Sequence, residues 1–182
     1  IDMLRRFGYF STESNGHLSE YVAWYRKRPD EIERWVGKTE WIHGETGGYL
    51  RVCREWRDYF DHEFATWLDE PPFEYGPDNR SHEHGSYIIE SLETGRMYRG
   101  HFNMVNDGAI SNLDPDAVVE GPGLVDATGI RLLCTGDLPM GPAAVCRQSI
   151  NVQRLSVAAA VRGDDTLLRQ AMLLDPLVGA VC

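Results

Sequence analysis

Tyr9 is the first side chain along the chain with chemistry to offer. It follows Gly8, a residue suited to stopping a short helix, and precedes a polar stretch at residues 11–16. That position lets its hydroxyl reach a cleft. A phenol titrates at about 10, so it acts as a base near neutrality only where a cation or metal lowers that value. Glu13 and His17 stand four residues apart after Thr12, a candidate N-cap. On a helix both could face one cleft and hydrogen-bond ligand hydroxyls; equally, they could be a capping carboxylate and an exposed imidazole. Asn103, Asn106 and Asn112 surround a turn containing Gly108. Amides donate and accept at once, which suits hydroxyl-rich ligands and tight turns alike. Arg147 could meet an acidic ligand or close an ion pair. Trp24, Trp56 and Trp67 could stack on a ring, although helical spacing favours burial or a subunit interface.

Other patterns stop short of a site. Gly121-Pro122-Gly123 begins like a dinucleotide fingerprint, but Asp126 stands where the third glycine belongs and no helix follows. No residues are thereby assigned to cofactor binding. There is no phosphate-binding P-loop and no G-x-S-x-G elbow. His62-Glu63 opens like a zinc-protease motif, yet Thr66 occupies the position of the second ligand. His82-Glu83-His84 reads as a solvated loop, with no third ligand nearby in sequence, and no metal ligands are assigned.

Composition narrows the partners. The net charge of -10 repels phosphate backbones, which argues against nucleic acid. No apolar run approaches the roughly 18 residues needed to cross a bilayer. Cys53, Cys134, Cys146 and Cys182 form no C-x-x-C or zinc spacing. They are expected to be reduced thiols of a cytoplasmic protein. The chain opens on Ile1 and closes on an apolar segment without a helix stop, so both ends are expected to continue a longer protein.

The elements that must position these residues change character midway. Residues 2–10 read as a helix end running into Gly8, with Met3, Leu4 and Phe7 on one face. Residues 19–28 should be helical, with Tyr21, Trp24 and Tyr25 on one side, and residues 30–35 should form another short helix. Residues 50–68 carry one apolar stripe, Val52, Trp56, Phe60, Phe64 and Trp67. Residues 70–83 are a loop, and residues 85–93 a helix closed by Thr94-Gly95. Residues 98–105, 118–125 and 130–134 then alternate as strands between Asn, Asp, Gly and Pro turns. Residues 143–161 form a long helix, Asp164 and Asp165 cap the next, and Asp175-Pro176 opens a third. Helices, then strands, then helices indicate an α+β fold in a single domain, with a small, mostly antiparallel sheet.

Several segments, in order, resemble family 4 glycoside hydrolases, nearest the α-galactosidase and α-galacturonidase branch. They are Met3-Leu4-Arg5-Arg6-Phe7-Gly8-Tyr9-Phe10 with Thr12-Glu13-Ser14, His17 and Ser19-Glu20-Tyr21; Gly85-Ser86-Tyr87-Ile88-Ile89 with Leu92-Glu93-Thr94-Gly95; Asn103, Asn106, Gly108, Ile110 and Asn112-Leu113, running to Val119-Glu120, Pro122 and Leu124-Val125-Asp126; Gly136-Asp137-Leu138-Pro139; Ile150-Asn151-Val152-Gln153; and Ala171-Met172 with Leu174-Asp175-Pro176. The chain departs from the pattern at Asn15-Gly16, at His84 in place of Tyr, and at Gly121 and Gly123 in place of larger residues. Residues 41–48 match nothing in it.

The resemblance implies the C-terminal, substrate-side domain of such an enzyme, of the lactate-dehydrogenase-like kind, with the N-terminal Rossmann domain missing. It implies a route outside two-carboxylate hydrolysis: oxidation of the sugar at C3 with NAD, removal of the C2 proton, loss of the C1 leaving group, water addition and reduction back. A divalent metal, usually manganese, polarises the sugar oxygen. The family's nucleotide-binding glycines and its metal-holding Cys and His lie upstream of the matched region. Tyr9 falls near where some branches supply a tyrosine base, and Glu13, His17, Asn103, Asn106 and Asn112 are the candidates for binding the sugar. The expected assembly is a homo-oligomer acting on a small glycoside, and the 182-residue chain alone is expected to be inactive. Two other readings fit the same residues: a non-catalytic oligomerisation or interaction module, and the catalytic domain of a lactate- or malate-type dehydrogenase.

Overall fold

The computed structural model describes residues 1–13, 15–25, 27–35, 48–72, 74 and 76–181. Helix α1 spans Asp2–Phe7, α2 Asn15–Tyr21, α3 Pro29–Trp35, α4 Gly48–Asp69 and α5 His84–Thr94. Strands β1 (Tyr98–Val105), β2 (Val118–Asp126) and β3 (Gly129–Leu132) follow, then α6 (Met140–Arg162), α7 (Asp165–Leu174) and α8 (Val178–Val181). The α+β class with one small antiparallel sheet is therefore the observed one. Of the unmatched stretch, residues 41–47 lie outside the described residues, as does Cys182; the other three cysteines are free thiols. The backbone gathers into two compact units, residues 72–147 in one and residues 1–71 with 148–182 in the other.

In the first of these, β2 is the central strand, antiparallel to both neighbours. The strands alternate because one face of the sheet is covered, and α5 packs on that sheet. Phe102, Val119 and Val125 point into the core, with Gly100 and Gly123 paired across the ladder between them. The glycines follow from the phenylalanine. A side chain added at Gly123 would place its first carbon 2.7 Å from the Phe102 ring and 2.8 Å from the Arg131 carbonyl. A small residue there leaves room for a large one diagonal to it on the neighbouring strand.

Residues 106–117 join β1 to β2. Asp107 and Gly108 both adopt left-handed backbone, at φ of 43° and 82°, where glycine and short polar residues are tolerated. Thr135 N–H donates to the Ala109 carbonyl at 2.8 Å, and Ser111 N–H to the Gly136 carbonyl at 3.1 Å, so the connection is stitched to the segment before α6.

The other unit is helical. Asp2 accepts from Arg6 Nε at 2.7 Å and from the Tyr25 hydroxyl at 3.1 Å. Phe7 stacks on Trp24 with ring centres 5.3 Å apart, and Tyr25 meets Trp35 edge-on at 5.5 Å. These contacts correct the expectation of one helix over residues 19–28. The chain instead leaves α2 at Tyr21 and makes a tight 3-10 turn, Ala23–Tyr25, which buries Tyr25 while Tyr21 and Trp24 stay exposed. Asp164 caps α7 by accepting from Thr166 N–H at 2.8 Å and Leu167 N–H at 3.1 Å. Asp175 does the same for α8, accepting from Leu177 and Val178. Helix α4 carries the expected stripe, but none of its described residues is buried. Among the described residues, no helix is long and apolar enough to cross a membrane.

Candidate functional site

The α1 terminus sets the direction of Tyr9. Gly8 closes the helix in left-handed conformation at φ 76°, its N–H bonded to the Leu4 carbonyl, and the chain turns outward. Tyr9 and Phe10 emerge from that turn 55% and 64% exposed. Beyond them Phe10, Ser11 and Glu13 join Asp2, Leu18 and Tyr25 around a cleft of about 240 Å³. Glu13 is the predicted site residue that this cleft holds. His17 lies beyond it on α2, with Nδ1 3.4 Å from Glu20 Oε2. The expected helical i, i+4 pairing of Glu13 with His17 is corrected here: α2 begins at Asn15, so Glu13 precedes the helix and Thr12 does not cap it. A second, larger cleft of about 820 Å³ opens between Phe7, Trp24 and Trp35, with Arg6, Lys27 and Arg34 on its walls.

Asp2 is the electrostatic anchor of this end. Its bond to Arg6, with help from Tyr25, holds its carboxyl below the usual carboxylate range. Burial, and then the neighbouring carboxylate, push the Tyr25 hydroxyl above its ordinary value. Tyr25 is thus kept protonated, as a donor. Sequence reasoning missed this trio, since Asp2 and Tyr25 lie far apart in the chain and no motif links them.

The three asparagines sit in the sheet unit and have three different situations. Asn103 is exposed on β1, in register with Glu120. Asn106 is 1% exposed. Its Nδ2 donates toward the carbonyls of Ile110 (2.9 Å), Leu113 (3.2 Å) and Asp114 (3.2 Å), and its Oδ1 accepts from Ile110 N–H at 2.7 Å. An amide so enclosed has no face to present to a sugar, and the expectation of ligand binding is corrected to turn formation. Asn112 is half-buried and clamps Leu138, donating to its carbonyl at 2.7 Å and accepting from its N–H at 2.9 Å. Arg147 Nη2 donates to the Asn112 carbonyl at 2.6 Å, and among the described residues it forms no ion pair with a carboxylate.

His84 does not sit in a solvated loop, as expected, but heads α5, with Nδ1 2.5 Å from the Tyr98 hydroxyl. Tyr98 stacks on Tyr87 at 5.3 Å, and the Arg80 guanidinium lies 3.7 Å from the centre of the Tyr87 ring while bonding Glu90. Those bonds hold Glu90 below the usual carboxylate range. At the β2–β3 turn, Arg131 and then Thr128 hold Asp126 well below it.

Among the described residues, no three His, Cys, Asp or Glu side chains cluster as a metal site. Gly121, Pro122 and Gly123 lie inside β2, so their backbone is committed to a strand rather than to a turn at a helix start. Among the described residues, then, neither a metal cluster nor a dinucleotide-binding turn is assembled.

A sequence profile described as the family 4 glycosyl hydrolase C-terminal domain matches residues 1–178. Over its whole length the chain is 57% identical to an α-galactosidase of Rhizobium meliloti and spans 37% of that protein. It is 31% identical to an α-galactosidase of Bacillus subtilis over 99% of the chain, spanning 40% of the relative. An α-galacturonidase of Thermoanaerobacterium saccharolyticum is 26% identical over 98% of the chain and is covered for 37% of its length. In structure the chain is similar to the Bacillus subtilis protein lplD, described as a glucosidase, with a TM-score of 0.74 at 23% identity, covering 97% of this chain and 38% of that one. A 6-phospho-α-glucosidase from gut microorganisms, solved in complex with NAD and glucose-6-phosphate, gives a TM-score of 0.58 at 21% identity, covering 97% of this chain and 45% of that one. The chain spans well under half the length of the curated relatives named here.

Proposed function

The chain belongs to the family 4 glycosyl hydrolases, matching their C-terminal domain, and from that we propose that it is the sugar-binding part of a glycosidase acting on α-galactosides or α-galacturonides. The observation that carries this reading is the 57% identity to the rhizobial α-galactosidase along the whole chain. NAD and a divalent metal such as manganese supply oxidation at C3 and polarisation of the sugar oxygen when bound. The roles left to this chain are local. Tyr9, exposed beyond the α1 terminus, is the base that takes the C2 proton. Glu13, at its cleft, and His17 hydrogen-bond sugar hydroxyls, joined by Asn103 and by whatever capacity Asn112 retains beside Leu138. The protein is a cytoplasmic homo-oligomer, a reading supported by its free thiols and by the exposed aromatic face of α4.

The test is turnover by the full-length protein of nitrophenyl α-galactoside and α-galacturonide, with and without NAD, manganese and reductant. Turnover of one of them that needs both cofactors supports the reading. Robust hydrolysis with neither would sink it.

A further inference from the structure

We propose that the larger cleft of the helical unit receives the leaving-group sugar of the glycoside, and that this sugar is an acidic one, bearing a carboxylate such as that of a uronic acid. The inference rests on the glycosidase reading above and adds to it a second ring and its charge. The two clefts share a wall. Tyr25 and Trp35 border both, so a ligand with one ring in the smaller cleft, beside Glu13, extends its next ring into the larger. At about 820 Å³ the larger cleft has the size of a ligand pocket.

Its walls suit the face of a sugar. Phe7 covers one side of the Trp24 indole, with ring centres 5.3 Å apart and planes 12° from parallel, and so fixes it. Trp24 borders the cleft and is still 38% exposed. An indole held in this way gives a sugar ring an apolar platform at little ordering cost.

The charges select an acid. The chain has a net charge of -10, yet Arg6, Lys27, Arg28 and Arg34 line this cleft against only Asp30 and Glu31. Two of these cations are already engaged. Arg6 bonds Asp2 at 2.7 Å, and Arg28 meets Asp30 at 3.1 Å and Glu31 at 3.6 Å, which accounts for both carboxylates of the cleft. Among the described residues, Lys27 and Arg34 pair with no carboxylate, and Arg34 lies instead 4.7 Å from the centre of the Trp35 ring. A guanidinium on an aromatic face keeps its edge donors free, and these match a carboxylate two at a time. Neutral hydroxyls would leave both cations without a counter-charge; a carboxylate on the stacked ring supplies it.

The test uses the full-length protein with NAD, manganese and reductant, and whichever nitrophenyl glycoside it turns over. Two disaccharides with that same non-reducing sugar are compared, one with galactose and one with galacturonate as leaving group. The acidic one should have kcat/KM about tenfold higher, and rising ionic strength should narrow the gap. Lys27→Glu and Arg34→Glu should each remove the preference, chiefly through KM, while Lys27→Arg, which keeps the charge, should retain it. Trp24→Ala should raise KM for both disaccharides. Calorimetry of the same protein with free galacturonate and free galactose reads the cleft without turnover: galacturonate should bind more tightly, and Arg34→Glu, shown to be folded by circular dichroism, should narrow the difference. Turnover with no preference for the acidic leaving group, or a preference indifferent to Lys27 and Arg34, overturns the cleft and leaves the glycosidase reading standing. No turnover of any glycoside sinks the glycosidase reading, and the leaving-group assignment falls with it.

Discussion

The ring of Phe102 fills the space that a side chain at Gly123 would need, one strand away and on the same face of the sheet. The Arg131 carbonyl closes the other side at 2.8 Å, and backbone cannot swing away as a side-chain tip can. Gly123→Val should therefore destabilise the chain by about 2 kcal/mol or more, read from urea unfolding midpoints at unchanged slope. A midpoint equal to that of the parent would show that the sheet relaxes without cost.

Asn106 and Asn103 should separate cleanly. Asn106→Ala leaves several buried carbonyls and one N–H without their partner, so a loss of roughly 2–3 kcal/mol is expected. Asn103→Ala, on the exposed side of β1, should leave stability unchanged and raise KM in the full-length enzyme. Equal stability losses in the two variants would contradict the distinction.

The Asp126–Arg131 pair, 2.6 Å apart, makes stability depend on pH in a definite direction. The folded carboxyl titrates below its unfolded value, because Arg131 and Thr128 favour the ionised form. Its contribution is present above the ordinary Asp value of about 3.9 and is lost as pH falls through the lower folded value. The stability difference between the parent chain and Asp126→Asn should stay level from neutral pH down to mildly acidic pH, then shrink under strongly acidic conditions. A difference that grows on acidification would reverse the assignment.

Tyr9→Phe removes one hydroxyl from an exposed ring, so folding should be unaffected. In the full-length enzyme, kcat should fall about a hundredfold, within the usual range for losing a general base, with KM little changed. A substrate deuterated at C2 should then show a larger isotope effect than with the parent. An unchanged isotope effect together with unchanged kcat would remove Tyr9 from the chemistry.

The 182-residue chain by itself, given NAD, manganese and reductant, should not turn over nitrophenyl galactosides, since its described residues gather neither a metal cluster nor a glycine turn at a helix start. Release of nitrophenol at the rate of the full-length enzyme would show that the chemistry sits within this chain.

Much of the fold could be read directly from the residues. The strands show as period-two patterns because one face of the sheet is covered, and residues 98–105 coincide with β1. The caps at Asp164 and Asp175 act over two or three residues, within reach of local pattern. Two of the failures share a cause. Helix α2 ends where it does because Phe7 and Asp2 capture Trp24 and Tyr25 from across the unit, and no local spacing encodes that. The asparagines show the same limit for the site. A turn-forming amide and a ligand-facing amide are the same residue in the same Gly-rich context, and only the carbonyls around Asn106 tell them apart.

The stitching of residues 106–117 bears on where this chain can be cut or extended. By composition the segment invites a protease, and it would be an obvious place to graft a tag. Its backbone is held at Ala109 and Ser111 to residues 135 and 136, the Asn112 side chain clamps Leu138, and its tip is filled by the Asn106 amide. A nick or insertion there would release both ends of the clamp, so nicking by a protease of broad specificity should be slow and inserted peptides poorly borne. The Ala127–Thr128 turn is the better graft point: its short reversal is held chiefly by the Asp126 side chain, and a hairpin tip can lengthen without unpicking the ladder behind it.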